Sequence, residues 1–127
     1  MANSMGLWSN IGAEVMTIKS DIDPEKIEGA ALTVTGVRDD GVLIMNKVMT
    51  EGAGFEAIGL HPADEDGYFA AALGGMVWIH TDGSITAPGY QFIGYEGTQR
   101  FKSVESGGRP VVVLFAIPSA YAALIKF

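Results

Sequence analysis

Two histidines and their acidic neighbours hold most of the reactive chemistry in this chain. His61 opens the run "HPADEDG", with Asp64, Glu65 and Asp66 close behind it, and His80 stands two residues before Asp82. Imidazoles and carboxylates bind metals and transfer protons, but a metal site needs three or four ligands converging in space. Nothing in the spacing brings His61 and His80 together, and both read as solvated loop residues. "DEDG" places carboxylates in succession, whereas an EF-hand needs them at alternate positions. "DIDPE" does alternate, and a helix cap explains it: Asp23 as N-cap, Pro24 at the first helical position, Glu25 and Glu28 near the positive end. Seven serines are present and none sits in G-x-S-x-G. Neither a dinucleotide fingerprint nor a phosphate-binding G-x-x-x-x-G-K occurs. The absence of Cys removes thiolate nucleophiles, disulfides and cysteine zinc sites. No catalytic, cofactor-binding or metal-binding residue is assigned, and the expectation is a non-enzymatic protein with no cofactor.

Binding chemistry is more visible. Leu7 and Trp8 stand together in "MANSMGLWSNIG", an otherwise small or polar stretch without strand or helix pattern. Trp brings much apolar area and an N–H donor to an interface. Leu7 and Trp8 are therefore the candidate partner-binding residues, on a flexible N-terminal arm spanning residues 1–12. "YEGTQRFK" interleaves aromatics with bases, a pattern able to stack single-stranded nucleic acid. The net charge of -7 argues against nucleic acid as a partner, and an alternating strand is the simpler reading. The charge is uneven: residues 1–66 hold 12 acids and 4 bases, residues 67–127 only 3 acids and 4 bases. An acidic, solvated half beside a near-neutral apolar half implies a packed or partner-facing region in the second.

The elements that would position these residues are strands. A length of 127 residues with 48% hydrophobic content and 17 Gly implies one folded domain with many turns. The domain is placed at residues 13–127. Period-two patterns and short apolar runs give candidate strands at residues 13–18, 31–35, 42–49, 55–60, 68–73, 76–80, 91–95, 100–104 and 111–117. "RDDG" is a hairpin signal between two β-branched runs. "TDG" is expected to join "MVWIH" to a short strand "SIT" in the same way, and "ESGG" to join "RFKSV" to "PVVVLF". Such spacing predicts a mainly β chain, a single small β-barrel or β-sandwich with at most one or two short helices. The apolar run from Val111 to Ile125 is broken by Pro118 and is short of the roughly 20 residues of a membrane helix, so no membrane is expected. Its apolarity favours a homo-oligomer. The N-terminus lacks the basic and apolar regions of a secretory signal.

The stretch "GGMVWIHTDGSITAPGYQFIGYEGTQRFKSVESGGRPVVVLF", residues 74–115, resembles small phage capsid cement or head decoration proteins. The likeness lies in a "G-x-x-V-x" strand, an Asp-Gly turn at Asp82 and Gly83, a short strand, a Gly-flanked "F-I-G" strand, and a polar turn into a Val-rich strand. It covers about a third of the chain. The resemblance implies a β-barrel or sandwich that binds an assembled lattice of major capsid protein, as a homotrimer at local three-fold axes. It implies a bridging role: neighbouring capsomers are tied together so that the shell resists internal DNA pressure. The protein would be made in the host cytoplasm and reside on the capsid surface of the virion. A phage tail or baseplate module shares the same hairpins. A small β-barrel ligand-binding domain or enzyme using the loop from His61 to Gly67 is a further alternative.

Overall fold

The structure is a computed structural model that describes residues 14–20, 22–97 and 99–127. The proposed arm, with Leu7 and Trp8, lies outside the described residues. Among the described residues the chain is mainly β, with ten strands in two sheets, and its only helical elements are two three-residue 3-10 turns, Pro24–Lys26 and Pro118–Ala120. In the first of these Asp23 does cap, its Oδ1 accepting from Glu25 N. The helix stops there: the next glycine, Gly29, has φ 75°, a left-handed conformation open to glycine, and turns the chain toward a strand.

Five strands close into a barrel: β1 (Glu14–Ser20), β2 (Ala31–Val37), β3 (Leu43–Lys47), β4 (Ala57–Gly59) and β5 (Tyr68–Gly74), in the order β1-β3-β2-β4-β5. All pairings are antiparallel except β1 with β3, a short parallel ladder at Lys19 and Ser20 that seals the barrel. The "RDDG" turn forms as expected, with Gly41 N donating to Arg38 O and Arg38 N to Val42 O.

Gly74 and Gly75 carry the chain into a second, wholly antiparallel sheet. It consists of β6 (Met76–His80), β7 (Gly89–Tyr95), β8 (Phe101–Val104), β9 (Arg109–Ile117) and β10 (Ala122–Lys126), ordered β6-β10-β9-β7-β8. Three local expectations fail here. "SIT" is no strand: Asp82 Oδ1 takes Ser84 N, Thr81 Oγ1 takes Gly83 N, and Ile85 is buried without a ladder partner. "ESGG" does not close a hairpin, because β7 lies between β8 and β9 and pairs with both. A tenth strand, β10, follows the 3-10 turn after Pro118 and pairs with β6 and β9.

Period-two alternation builds two cores from one set of strands. Leu32, Ala57, Phe69 and Ala71 point into the barrel with Ile18, Ile27 and Met45. Their chain neighbours Ala31, Ile58 and Ala72 point the other way, into a core shared with Val77, Ile79, Ile85, Ile93, Phe101, Val113 and Ile125 of the second sheet region. The β3–β4 connection clasps the two layers. Gly52 N donates to Tyr95 O and Tyr95 N to Ala53 O, so this segment adds a short rung to β7. Gly94 makes that approach possible, since a Cβ there would lie 2.5 Å from Gly52 O.

Candidate functional site

The β4–β5 loop is ordered by its own polar groups. Asp64 Oδ1 accepts from both Asp66 N and Tyr68 N, and Asp64 N donates to Tyr68 O. His61 folds back on the start of β5. Ala70 N donates to its Nε2 at 3.2 Å, which leaves Nδ1 to donate to Pro62 O at 2.9 Å. Both ring nitrogens are thus engaged by backbone, and neither offers a lone pair to a metal or a proton donor. The hollow beside the ring, about 300 Å³, is lined by His61, Pro62, Asp64, Tyr68, Phe69 and Ala70. His80 stands on the second sheet, exposed at the end of β6 and opposite Ala122. No group of three or more His, Asp or Glu converges among the described residues.

Tyr68 is the polar centre of that barrel end. Arg38 Nη1 donates to its hydroxyl, and the Arg38 and Lys19 cations lie 5.7 and 5.9 Å from its ring centroid. Tyr68 and then Asp40 hold the Arg38 guanidinium above its ordinary pKa. Arg38 also pairs with Asp40 of the β2–β3 turn at 2.8 Å.

The "YEGTQRFK" segment separates its aromatics from its bases. Tyr95 and Phe101 face each other across β7 and β8 and are buried. Arg100 pairs with Glu96, and Lys102 pairs with Glu51. Rings turned into the core cannot stack on bases, and the segment is no single strand but the end of β7, its connection and the start of β8.

Glu56 and Arg109 sit where the barrel meets the second sheet. Glu56 Oε1 accepts from Thr33 Oγ1 at 2.6 Å and Val34 N at 2.7 Å, and these bonds, Thr33 first, hold its carboxyl below the ordinary range. The carboxylate replaces the strand partner that β2 lacks beyond the end of β4. Arg109 lies 4.8 Å from the Phe127 ring centroid and 5.7 Å from that of Phe55, and donates to Phe55 O. Burial lowers its pKa, and Glu56 opposes that shift.

The largest unassigned feature is the outward face of the second sheet. Tyr90 is 90% exposed, Phe115 52%, Phe92 43% and Leu114 39%. Three register rows carry it: Tyr90 opposite Val112 opposite Lys126, Phe92 opposite Pro110, and Phe115 opposite Leu124. A bulge in β9 turns both Leu114 and Phe115 outward, because Val113 and Ala116 on either side pair with Ile125 and Ala123, which face the core. Beside Tyr90 a hollow of about 240 Å³ is lined by Tyr90, Pro110, Val112 and Lys126 of this face together with Val111 and Phe127, which pack on the core side. The apolarity of residues 111–117 signals β9 in the sequence. The pattern of "GYQF" misleads, since the apolar Tyr90 and Phe92 are the side chains left exposed and the polar Gln91 alternates with them. No protein-family model and no curated protein matches this chain.

Proposed function

We propose that this protein is a non-enzymatic structural component of a phage virion, which decorates the capsid surface and stabilises it by bridging capsomers. The observation that carries the reading is the apolar face of the second sheet, whose strands contain no Asp or Glu, on an otherwise acidic molecule. Contiguous exposed apolar surface marks an association site on a soluble scaffold, and here it spans β7 and β9 through Tyr90, Phe92, Leu114 and Phe115. The likeness of residues 74–115 to capsid decoration proteins supplies the class of partner, a lattice of major capsid protein, and the preferred homotrimer. Affinity would come from multivalency: several modest contacts on one rigid oligomer act at high effective concentration on a repeating lattice. The engaged ring nitrogens of His61 favour a structural role for the β4–β5 loop over a catalytic one.

Peptide counting on virions purified from cells that express this chain tests the proposal. A copy number comparable to that of the major capsid protein supports shell decoration. A handful of copies per particle assigns the chain to the tail or baseplate, and absence from virions removes the proposal.

A further inference from the structure

None of the five strands of the second sheet contains an Asp or Glu, although the whole chain carries a net charge of -7. Two copies approaching through any acidic loop of the barrel meet like charge with like. Approaching through this face, they bring together Tyr90, Phe92, Pro110, Val112, Leu114 and Phe115, with Lys126 at the rim. The face also carries both halves of a fit. Tyr90 stands almost fully out of the sheet, and the 240 Å³ hollow lies directly beside it.

We propose that this outward face is an interface between copies of the chain, in which Tyr90 of one copy enters the hollow lined by Pro110, Val112, Lys126 and Phe127 of another. The ring would pack on Pro110 and Val112, and the Lys126 ammonium at the rim would lie within reach of its face. A knob and its hole on one surface are the self-complementary arrangement that symmetric assembly requires. The exposed apolar side chains supply part of the area that a stable pair needs. Aromatic side chains bury 150–250 Å² each, so the exposed parts of Tyr90, Phe92, Leu114 and Phe115 offer on the order of 400 Å². That is about half of the roughly 800 Å² per partner in a standard interface, and Val112, Pro110, Val104 and Leu124 flank them on the same face.

The inference rests on the reading of the chain as a self-associating shell protein and assigns this face to the contact between copies rather than to the lattice; it fails separately from that reading, because virion copy number does not depend on how free copies associate. The test is the mass of the full chain by light scattering and sedimentation over a dilution series from about 100 μM. The expected result is an oligomer of two or three copies. Tyr90→Ser should raise its dissociation constant by about thirtyfold or more, as for an interface hot spot. Val112→Glu, which puts a carboxylate into the face, should leave only monomer. Tyr90→Phe should retain the oligomer, and Val37→Ser, at an exposed apolar site on the barrel, should not change the mass. The unsubstituted chain alone can overturn the proposal, by remaining monomeric throughout the series. An oligomer that persists undiminished in folded Tyr90→Ser and Val112→Glu overturns it as well.

Discussion

Glu56 shows how one carboxylate can finish a strand. It takes the Thr33 hydroxyl and the Val34 N–H where β2 has run past its partner β4. Glu56→Ala should destabilise the fold by about 1 kcal/mol, read from denaturant midpoints, since the site is exposed and water replaces part of what is lost. Its folded pKa lies below the unfolded value. Glu56 therefore contributes stability above the unfolded carboxyl pKa of about 4.3, and that contribution disappears as pH falls through the lower folded value. The unsubstituted chain and Glu56→Gln should accordingly converge in melting temperature as pH drops below about 4. Gly59 is constrained by space instead. A Cβ there would lie 2.0 Å from Ile27 O, where the segment after the first 3-10 turn crosses β4 and donates Gly29 N to Gly59 O. Gly59→Ala must displace that backbone, and a loss of about 1–3 kcal/mol is expected in the same measurement.

At the scale of elements, the informative cases are the ends of the second sheet. The free edge of β8 is blunted rather than left open: Ser84 Oγ accepts from Ser103 N, and Asp82 N donates to Phe101 O. An isolated parallel bridge between Thr81 and Phe101 brings the end of β6 to the same edge. An unprotected edge invites strand addition from other chains. Ser84→Ala should cost little stability, about 0.5–1.5 kcal/mol, yet speed amide hydrogen exchange at Ser103 relative to the centre of β7. Unchanged exchange there would show that the serine is not the cap. The 3-10 turn before β10 ends on Tyr121 at φ 53°, a left-handed conformation uncommon for a residue with a side chain. Its carbonyl accepts from Thr81 N, which ties the return into β10 to the end of β6.

The whole molecule is a stack in which β2, β4 and β5 serve two cores at once. Ile58, 1% exposed, belongs to the core between barrel and second sheet, while its neighbour Ala57 belongs to the barrel interior. Ile58→Ala should therefore cost about 2–5 kcal/mol, whereas Tyr90→Ser should leave the monomer's stability nearly unchanged. Comparing the two by calorimetry separates packing within a copy from packing between copies. Chelator should leave the melting temperature unmoved, because His61 is already bonded through both nitrogens and no metal-holding group of three or more His, Asp or Glu occurs among the described residues. A fall of several degrees would revive a metal role for the "HPADEDG" loop. No helix among the described residues is long and apolar enough to cross a membrane, and the apolar run from Val111 to Ile125 forms most of β9 and β10 instead.

Alternation and turn chemistry were legible in the residues themselves: nine of the ten strands, the "RDDG" hairpin, the Asp23 cap and the mainly β class all follow from local period and local geometry. β10 escaped because "AALIK" is a short apolar run directly after a proline turn, with no polar residue until its end to show a period of two. Strand order was not legible at all. "ESGG" reads as a hairpin locally, yet β7 separates β8 from β9, because which strands meet depends on burying faces that lie far apart in the chain. The same holds for the surface. Tyr90 and Ile93 are both apolar members of one strand, and only the packing of β7 against the barrel buries the second and leaves the first standing in solvent.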